Sequence, residues 1–240
     1  MISKIKILYE DSNILAIDKP SGVSVHSDGR TKEKTIADWV FKNYPKIKGV
    51  GENEVYEFKN KKIEIKKPGI VHRLDRDTSG VLLLAKNEKI YQFLKKQFQE
   101  REIKKTYIAF VSGSLKNDRG VINKAIGRSP KDFRRYSAGR GARGDMREAV
   151  TQYRVLKRLP GFTVLEVRPK TGRTHQIRVH MKYINHPVAC DFLYNPGTPC
   201  PKGIKRMALH AKAIEFKNLK GETIKIESKL PKEFEKALKG

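Results

Sequence analysis

The chain has 240 residues, with 52 Lys and Arg against 26 Asp and Glu, a formal net charge of +26. Apolar residues make up 38%, enough for a packed core and too many for wholesale disorder. No run reaches the ~18 apolar residues of a membrane-spanning helix. The start, Met1-Ile2-Ser3-Lys4-Ile5-Lys6, lacks the apolar stretch of a secretory signal. The two cysteines, Cys190 and Cys200, have a spacing that fits neither a disulfide scaffold nor a four-ligand zinc site. A cytoplasmic protein in a reducing compartment is therefore expected. Basic residues spread through the whole body favour a polyanion, nucleic acid above an anionic membrane face. A membrane partner would call for a long basic amphipathic helix, and the sequence has none.

In chain order, Ile5–Tyr9 and Ile14–Ile17 read as two strands around the polar turn Glu10–Asn13. The loop Asp18-Lys19-Pro20-Ser21-Gly22 follows. Thr35 with Asp38 caps a helix to Tyr44, with Ile36, Trp39 and Val40 inward, and Pro45 ends it. Residues 46–68 are polar and Lys-rich, a surface excursion. Val81–Ala85 reads as a buried strand, and Asn87 caps a helix with Ile90, Phe93, Leu94 and Phe98 on one face. Lys105–Ser112 alternates as a strand. Thr151–Leu156 and Phe162–Val167 flank Pro160-Gly161 as a hairpin, and Thr174–Ile184 reads as a helix. Ala208–Phe216 and Thr223–Ile226 are further strands, and a short helix follows Pro231. With no βαβ regularity, no internal repeat and no clear linker, the expectation is one α+β domain over residues 1–240 with a mainly antiparallel sheet.

Residues 128–147 hold seven basic and two acidic residues, 7 − 2 = +5, and three glycines. They read as a mobile loop whose Arg134, Arg135, Arg140 and Arg143 contact phosphates; the plain alternative is a solvated loop.

Three clusters combine reactive residues with turns. In His72-Arg73-Leu74-Asp75-Arg76-Asp77-Thr78-Ser79-Gly80 a carboxylate stands between arginines, which favour its ionised form. Asp75 is thus either a nucleophile or base, or part of a structural Asp–Arg network. The second cluster, Lys104-Lys105-Thr106-Tyr107, sets a tyrosine on a strand. In the third, Lys170–His180, residues His175, Arg178 and Lys182 share one helical face, which either holds a phosphate or carboxylate or is simply solvated. His175 and His180 are five apart, which argues against a helical zinc pair. Phosphate-cradling glycine motifs and the hydrolase Gly-x-Ser-x-Gly elbow are absent, so neither metal nor nucleotide cofactor is expected.

The nine-residue pattern His72-Arg73-Leu74-Asp75-x-x-Thr78-Ser79-Gly80 resembles the signature of RluA-type pseudouridine synthases. Asp18-Lys19-Pro20-x-Gly22 with His26, and Lys105-x-Tyr107-x-Ala109-x-Val111-x-Gly113, resemble further motifs of that family. So do Thr171–His180, His186-Pro187 with Asp191 and Tyr194, and Leu209-His210-Ala211, in family order from about residue 14 to about 230. The resemblance implies an antiparallel sheet with flanking helices and a central RNA-binding cleft. It implies isomerisation of uridine to pseudouridine in ribosomal or transfer RNA by a monomer without a cofactor. Carried over, Asp75 matches the catalytic aspartate, Tyr107 the active-site tyrosine and Arg178 the basic residue paired with that aspartate. Arg173 in the same motif stays an alternative to Arg178. Arg73 matches an arginine near the flipped nucleotide, Leu209 an apolar wall, and His175 joins the substrate-binding set. The first motif begins near residue 14, so no N-terminal S4-type RNA-binding domain is expected, and RNA recognition falls to the catalytic domain and its basic loops. The rival reading is a non-catalytic RNA-binding or ribosome-assembly protein, which has no need of Asp75, Tyr107 and Arg178 together.

Overall fold

The computed structural model describes residues 4–27, 33–58 and 61–239. In chain order the elements are β1 (Lys6–Glu10), β2 (Ile14–Lys19), α1 (Ile36–Asn43), β3 (Glu54–Phe58), β4 (Lys61–Ile65), β5 (Ser79–Ala85), α2 (Glu88–Gln99), β6 (Lys104–Ser112) and β7 (Arg119–Asn123). Then come β8 (Ile126–Arg128), β9 (Tyr136–Ala138), β10 (Arg143–Arg147), β11 (Val150–Leu159), β12 (Phe162–Pro169), α3 (Gln176–Tyr183), β13 (Leu209–Lys217), β14 (Thr223–Glu227) and α4 (Lys232–Lys239). This is the expected α+β class, with antiparallel pairing. Within the span read as one domain, the chain forms two compact units. Residues 1–103 and 214–228 make the first, and residues 104–213 and 229–240 the second.

The first unit is built on the antiparallel order β1-β2-β5. Every residue of β5 is buried, as its unbroken apolar run requires. Helix α2 lays Ile90, Tyr91 and Leu94 against Ile14, Ala16, Val81 and Leu83. The two helix starts follow the sequence signals. Asp38 N–H donates to Thr35 Oγ1 at 3.3 Å while Thr35 N–H donates to Asp38 Oδ2 at 2.7 Å, a reciprocal cap. Ile90 N–H donates to Asn87 Oδ1 at 3.0 Å. On α1 the inward residues are Ile36, Ala37 and Val40; Trp39 is only half-buried and leans on Tyr44. Residues 46–68 are not a plain excursion, since they contain the hairpin β3–β4 with Ile47 and Ile65 buried.

The second unit has the antiparallel order β6-β12-β11-β7, with α3 over it. Both faces of β6 are covered: Ala109 and Val111 pack with Leu165, Ile177 and Leu209, and Ile108 and Phe110 with Val164 and Phe234. Residues 128–147 are not a mobile loop. They form most of a three-stranded sheet, order β10-β8-β9, whose Ile126 and Ala138 are buried with Ala149, Val179 and Tyr194. The charge and glycine content of the segment masks the buried Ala138 within it and the buried Ile126 and Ala149 that flank it. The cysteines also depart from expectation: Cys190 and Cys200 have Cα atoms 5.3 Å apart, within bridging distance, and form a disulfide.

Candidate active site

Asp75 sits on a loop of the first unit that is fastened at both ends. Upstream, Gly69 adopts a left-handed φ of 63° and lies so close to β5 that a Cβ would stand 2.1 Å from the Ala85 carbonyl. Any other residue would push the loop off the strand. Leu83 N–H donates to His72 Nε2 at 2.9 Å, and the His72 ring stacks on Phe98. Leu74 is buried and anchors the loop, Asp75 is half-buried, and Arg73 and Arg76 are exposed. Thr78 N–H closes the turn on the Asp75 carbonyl at 3.1 Å. Arg76 pairs with Glu33 at 3.2 Å.

The residues after β2 grip the same loop. Lys19 is wholly buried, and its ammonium donates to the carbonyls of Pro20 at 2.8 Å, Val23 at 2.7 Å and Arg76 at 2.9 Å. Gly22 N–H also donates to the Arg76 carbonyl at 2.9 Å, and Ser21 Oγ to the Asp77 carbonyl at 2.7 Å. An ammonium loses its hydration here, and three carbonyls replace it. Asp18-Lys19-Pro20-Ser21-Gly22 therefore holds the backbone beside Asp75 in place. The motif resemblance assigns Lys19 no such part, although the sequence carries the signal. Leu15, Ile17 and Lys19 alternate on one strand face, and parity puts the lysine with the buried pair.

In the second unit, Tyr107 on β6 is half-buried against the apolar cluster that holds Leu209, Ile177 and Met181. Beside it, Lys105 Nζ donates to the Thr171 carbonyl at 3.3 Å, and burial pulls its pKa down to about 8.

The segment Thr171–Lys182 is held by a closed polar network. Gln176 Oε1 accepts from Thr171 Oγ1 at 2.6 Å and Arg173 N–H at 3.0 Å. Its Nε2 donates to the Val150 carbonyl and to Thr151 Oγ1, both at 3.0 Å. His180 Nε2 donates to the Lys124 carbonyl at 2.9 Å, so its Nδ1 accepts from the Thr151 hydroxyl at 2.8 Å. This His180 is neutral, and burial lowers its pKa. The network docks α3 on β11 and so fixes the direction of Arg178.

Arg178 is no member of a solvated face. Its Nε donates to Asp191 Oδ2 at 2.6 Å and its Nη2 to Asp191 Oδ1 at 2.9 Å; the side chains are 8% and 1% exposed. Asp191 Oδ1 accepts further from Leu193 N–H and Tyr194 N–H, each at 3.1 Å. The guanidinium lies 4.9 Å from the Tyr194 ring centre, and Lys182 Nζ donates to the Tyr194 carbonyl at 2.6 Å. His175, with a left-handed φ of 55°, meets Tyr194 Oη through Nδ1 at 2.9 Å, and Tyr136 N–H donates to the same oxygen at 2.8 Å. Asp191 and Tyr194 thus position Arg178, and Tyr194 also ties β9 to the start of α3. The sequence showed them only as parts of a late motif. Arg173 is partly exposed, with Nε donating to the Glu148 carbonyl at 2.9 Å.

Of the arginines assigned to phosphate, Arg134 and Arg135 both contact Asp132, Arg143 is exposed, and the side chain of Arg140 lies outside the described set.

The family model described as RNA pseudouridylate synthase matches residues 13–183, the span that carries Asp75, Tyr107 and Arg178. The chain belongs to this family. Members of this family are isomerases. The chain is 37% identical over 230 residues to the ribosomal large subunit pseudouridine synthase D of Borreliella burgdorferi, covering 96% of this chain and 66% of that protein. It is 34% identical over 246 residues to the protein of the same name from Xanthomonas campestris, covering 98% and 68%. The chain thus spans about two thirds of the length of these relatives. The solved structure of human RNA pseudouridylate synthase domain containing 4 superposes with a TM-score of 0.72 at 25% identity, covering 97% of this chain and 91% of that one.

Proposed function

We propose that this chain isomerises uridine to pseudouridine in structured RNA, with ribosomal RNA as the first candidate substrate and transfer RNA the second. The observation that carries this reading is the match over residues 13–183, with Asp75, Tyr107 and Arg178 in their motifs. The names of the curated relatives support the ribosomal choice. In the reaction the C1′–N1 bond breaks, the base turns, and a C1′–C5 bond forms. The C5 proton leaves and N1 gains one. Nothing is oxidised and no group is imported, so the chemistry asks for neither metal nor cofactor.

Asp75 supplies the carboxylate that starts glycosidic cleavage. Arg178 matches the basic residue that the family resemblance assigns to keeping that carboxylate ionised, and Asp191 fixes the direction of its guanidinium. Tyr107 offers a flat surface to the base and a phenol at the C5 position. Leu209 belongs to the apolar wall that keeps the detached base dry. The uridine leaves its stack first, at a cost of roughly a few kcal/mol, which phosphate contacts of the basic surface offset. The protein acts as a monomer.

The test is tritium release from RNA labelled with 5-tritiated uridine, prepared from cells that lack the gene. The expected result is release to water at one or a few sites per ribosomal RNA, with pseudouridine in the product. No release from ribosomal or transfer RNA would contradict the reading, and so would free uracil, which marks a hydrolase.

A further inference from the structure

A cavity of about 330 Å³ lies in the second unit, between the β10-β8-β9 sheet and the turn before α3. Arg128, Tyr136, Asp145, Arg147, Gly172 and Arg173 line it, so its charge is 3 − 1 = +2. The volume is at the small end of the roughly 300–1,000 Å³ of ligand pockets, the size of one nucleotide and too small for a paired helix.

Two of the three guanidiniums are already oriented. Arg128 Nη1 donates to the Phe133 carbonyl at 3.1 Å, and its Cζ stands 4.9 Å from the Tyr136 ring centre. Arg173 is held by the Glu148 carbonyl at 2.9 Å. A guanidinium tied down on one edge loses little entropy when it takes a phosphate on the other. The Arg128–Tyr136 stack is a flat cationic and aromatic pair, the kind of surface on which unpaired bases stack. Tyr136 is itself pinned through its N–H to Tyr194.

The third guanidinium is placed by a bulge. Arg143 pairs with Arg128 and Arg147 with Ile126, so β10 takes four steps (147 − 143) where β8 takes two (128 − 126). The surplus folds over Gly127, where a Cβ would stand 2.7 Å from Met146 Sδ and 2.9 Å from the Arg143 carbonyl. The bulge brings Asp145 and Arg147 to the cavity. Asp145 is the one carboxylate among the lining residues, and it repels a phosphate and accepts a base amino group.

We infer that this cavity is a subsite for one ribonucleotide of the substrate RNA other than the target uridine, with its phosphate on the arginines and its base on the Arg128–Tyr136 platform. The inference rests on the reading that the chain modifies RNA. It adds a second point of recognition, built from Arg128, Arg147 and Arg173 together with a ring.

Cytidine 5′-monophosphate is the probe, because cytosine is not the base being isomerised and carries an amino group. Amide signals of Gly127, Gly172 and Thr174 in the full ¹⁵N-labelled chain are followed by NMR during titration. Half-saturation is expected at roughly millimolar concentration. Cytidine alone or inorganic phosphate alone should bind at least about tenfold more weakly, and each of Arg128→Ala and Arg147→Ala should cost about tenfold. Arg147→Gln on the exposed strand is the second variant, should Arg128→Ala disturb the sheet. Three results would each overturn the inference: no response to the nucleotide, an equal response to inorganic phosphate, or unchanged binding by the Arg147 variants. Tritium release by the unsubstituted chain is measured separately, so loss of the subsite and loss of the proposed activity are told apart.

Discussion

Arg178 and Arg134 each grip an aspartate with two hydrogen bonds, and the two pairs behave as opposites. Arg178 and Asp191 are buried, and the carboxylate also receives two backbone N–H groups. Arg134 is 64% exposed on Asp132, whose pKa falls to about 2 chiefly through the hydrogen bond from Arg134. In the interior, charges taken out of water must be matched on every side, so the geometry is unique and costly to disturb. At the surface water replaces either partner, and the arginine keeps its freedom to meet a phosphate. One protein thus uses the same residue pair for positioning around α3 and for adaptable contact in the β10-β8-β9 sheet.

The largest effect should come from breaking the buried pair. Asp191→Ala removes the buried carboxylate that grips Arg178 with two hydrogen bonds and should cost about 3–5 kcal/mol in urea unfolding. If the fold survives, the single-turnover rate should fall far more than RNA affinity. A loss as small as that of a surface pair would erase the contrast. A middle effect belongs to the network under α3. Thr151→Val removes the hydroxyl between His180 and Gln176 and should cost about 1–3 kcal/mol. His180 has a folded pKa below its unfolded value near 6.5, so the unfolded chain takes the proton first. Stability should therefore decline as pH falls below about 6.5, and His180→Gln should flatten that decline in melts at several pH values. The smallest effect on stability is expected at the surface. Replacing Arg134, Arg135 and Arg143 together by Ala should leave the unfolding midpoint where it was. RNA affinity should drop, and its salt dependence should flatten by up to about 0.7–0.9 log units per lost phosphate contact. A large fall in stability would show that these arginines hold the sheet together.

Much of the fold was legible because its signals are local. Thr35 with Asp38, Asn87, and the run Val81–Ala85 each carry their own evidence within a few residues. The small sheet was illegible because its core is borrowed: Ile126 and Ala138 find Val179 and Tyr194 far along the chain. In the site, Asp75, Tyr107 and Arg178 were readable as members of motifs. Their supports were less so: strand parity marks Lys19 as buried, but not that it reaches the Arg76 carbonyl across 57 positions, nor that Gln176 reaches Thr151 across 25. Such bonds exist only once the chain is folded, and spacing alone holds no trace of them. The cysteine pair shows the same limit: residues ten apart meet because the intervening turn brings them within 5.3 Å.

The most direct measurement is single-turnover tritium release by Asp75→Asn beside a filter-binding titration on the same RNA. Asn keeps the size of the side chain and loses its charge and nucleophilicity. The account predicts that release vanishes while affinity stays close to that of the unsubstituted chain, because the phosphate contacts lie elsewhere. Release at a substantial rate from the pure variant would contradict the assignment of Asp75, and with it the chemistry proposed for this chain.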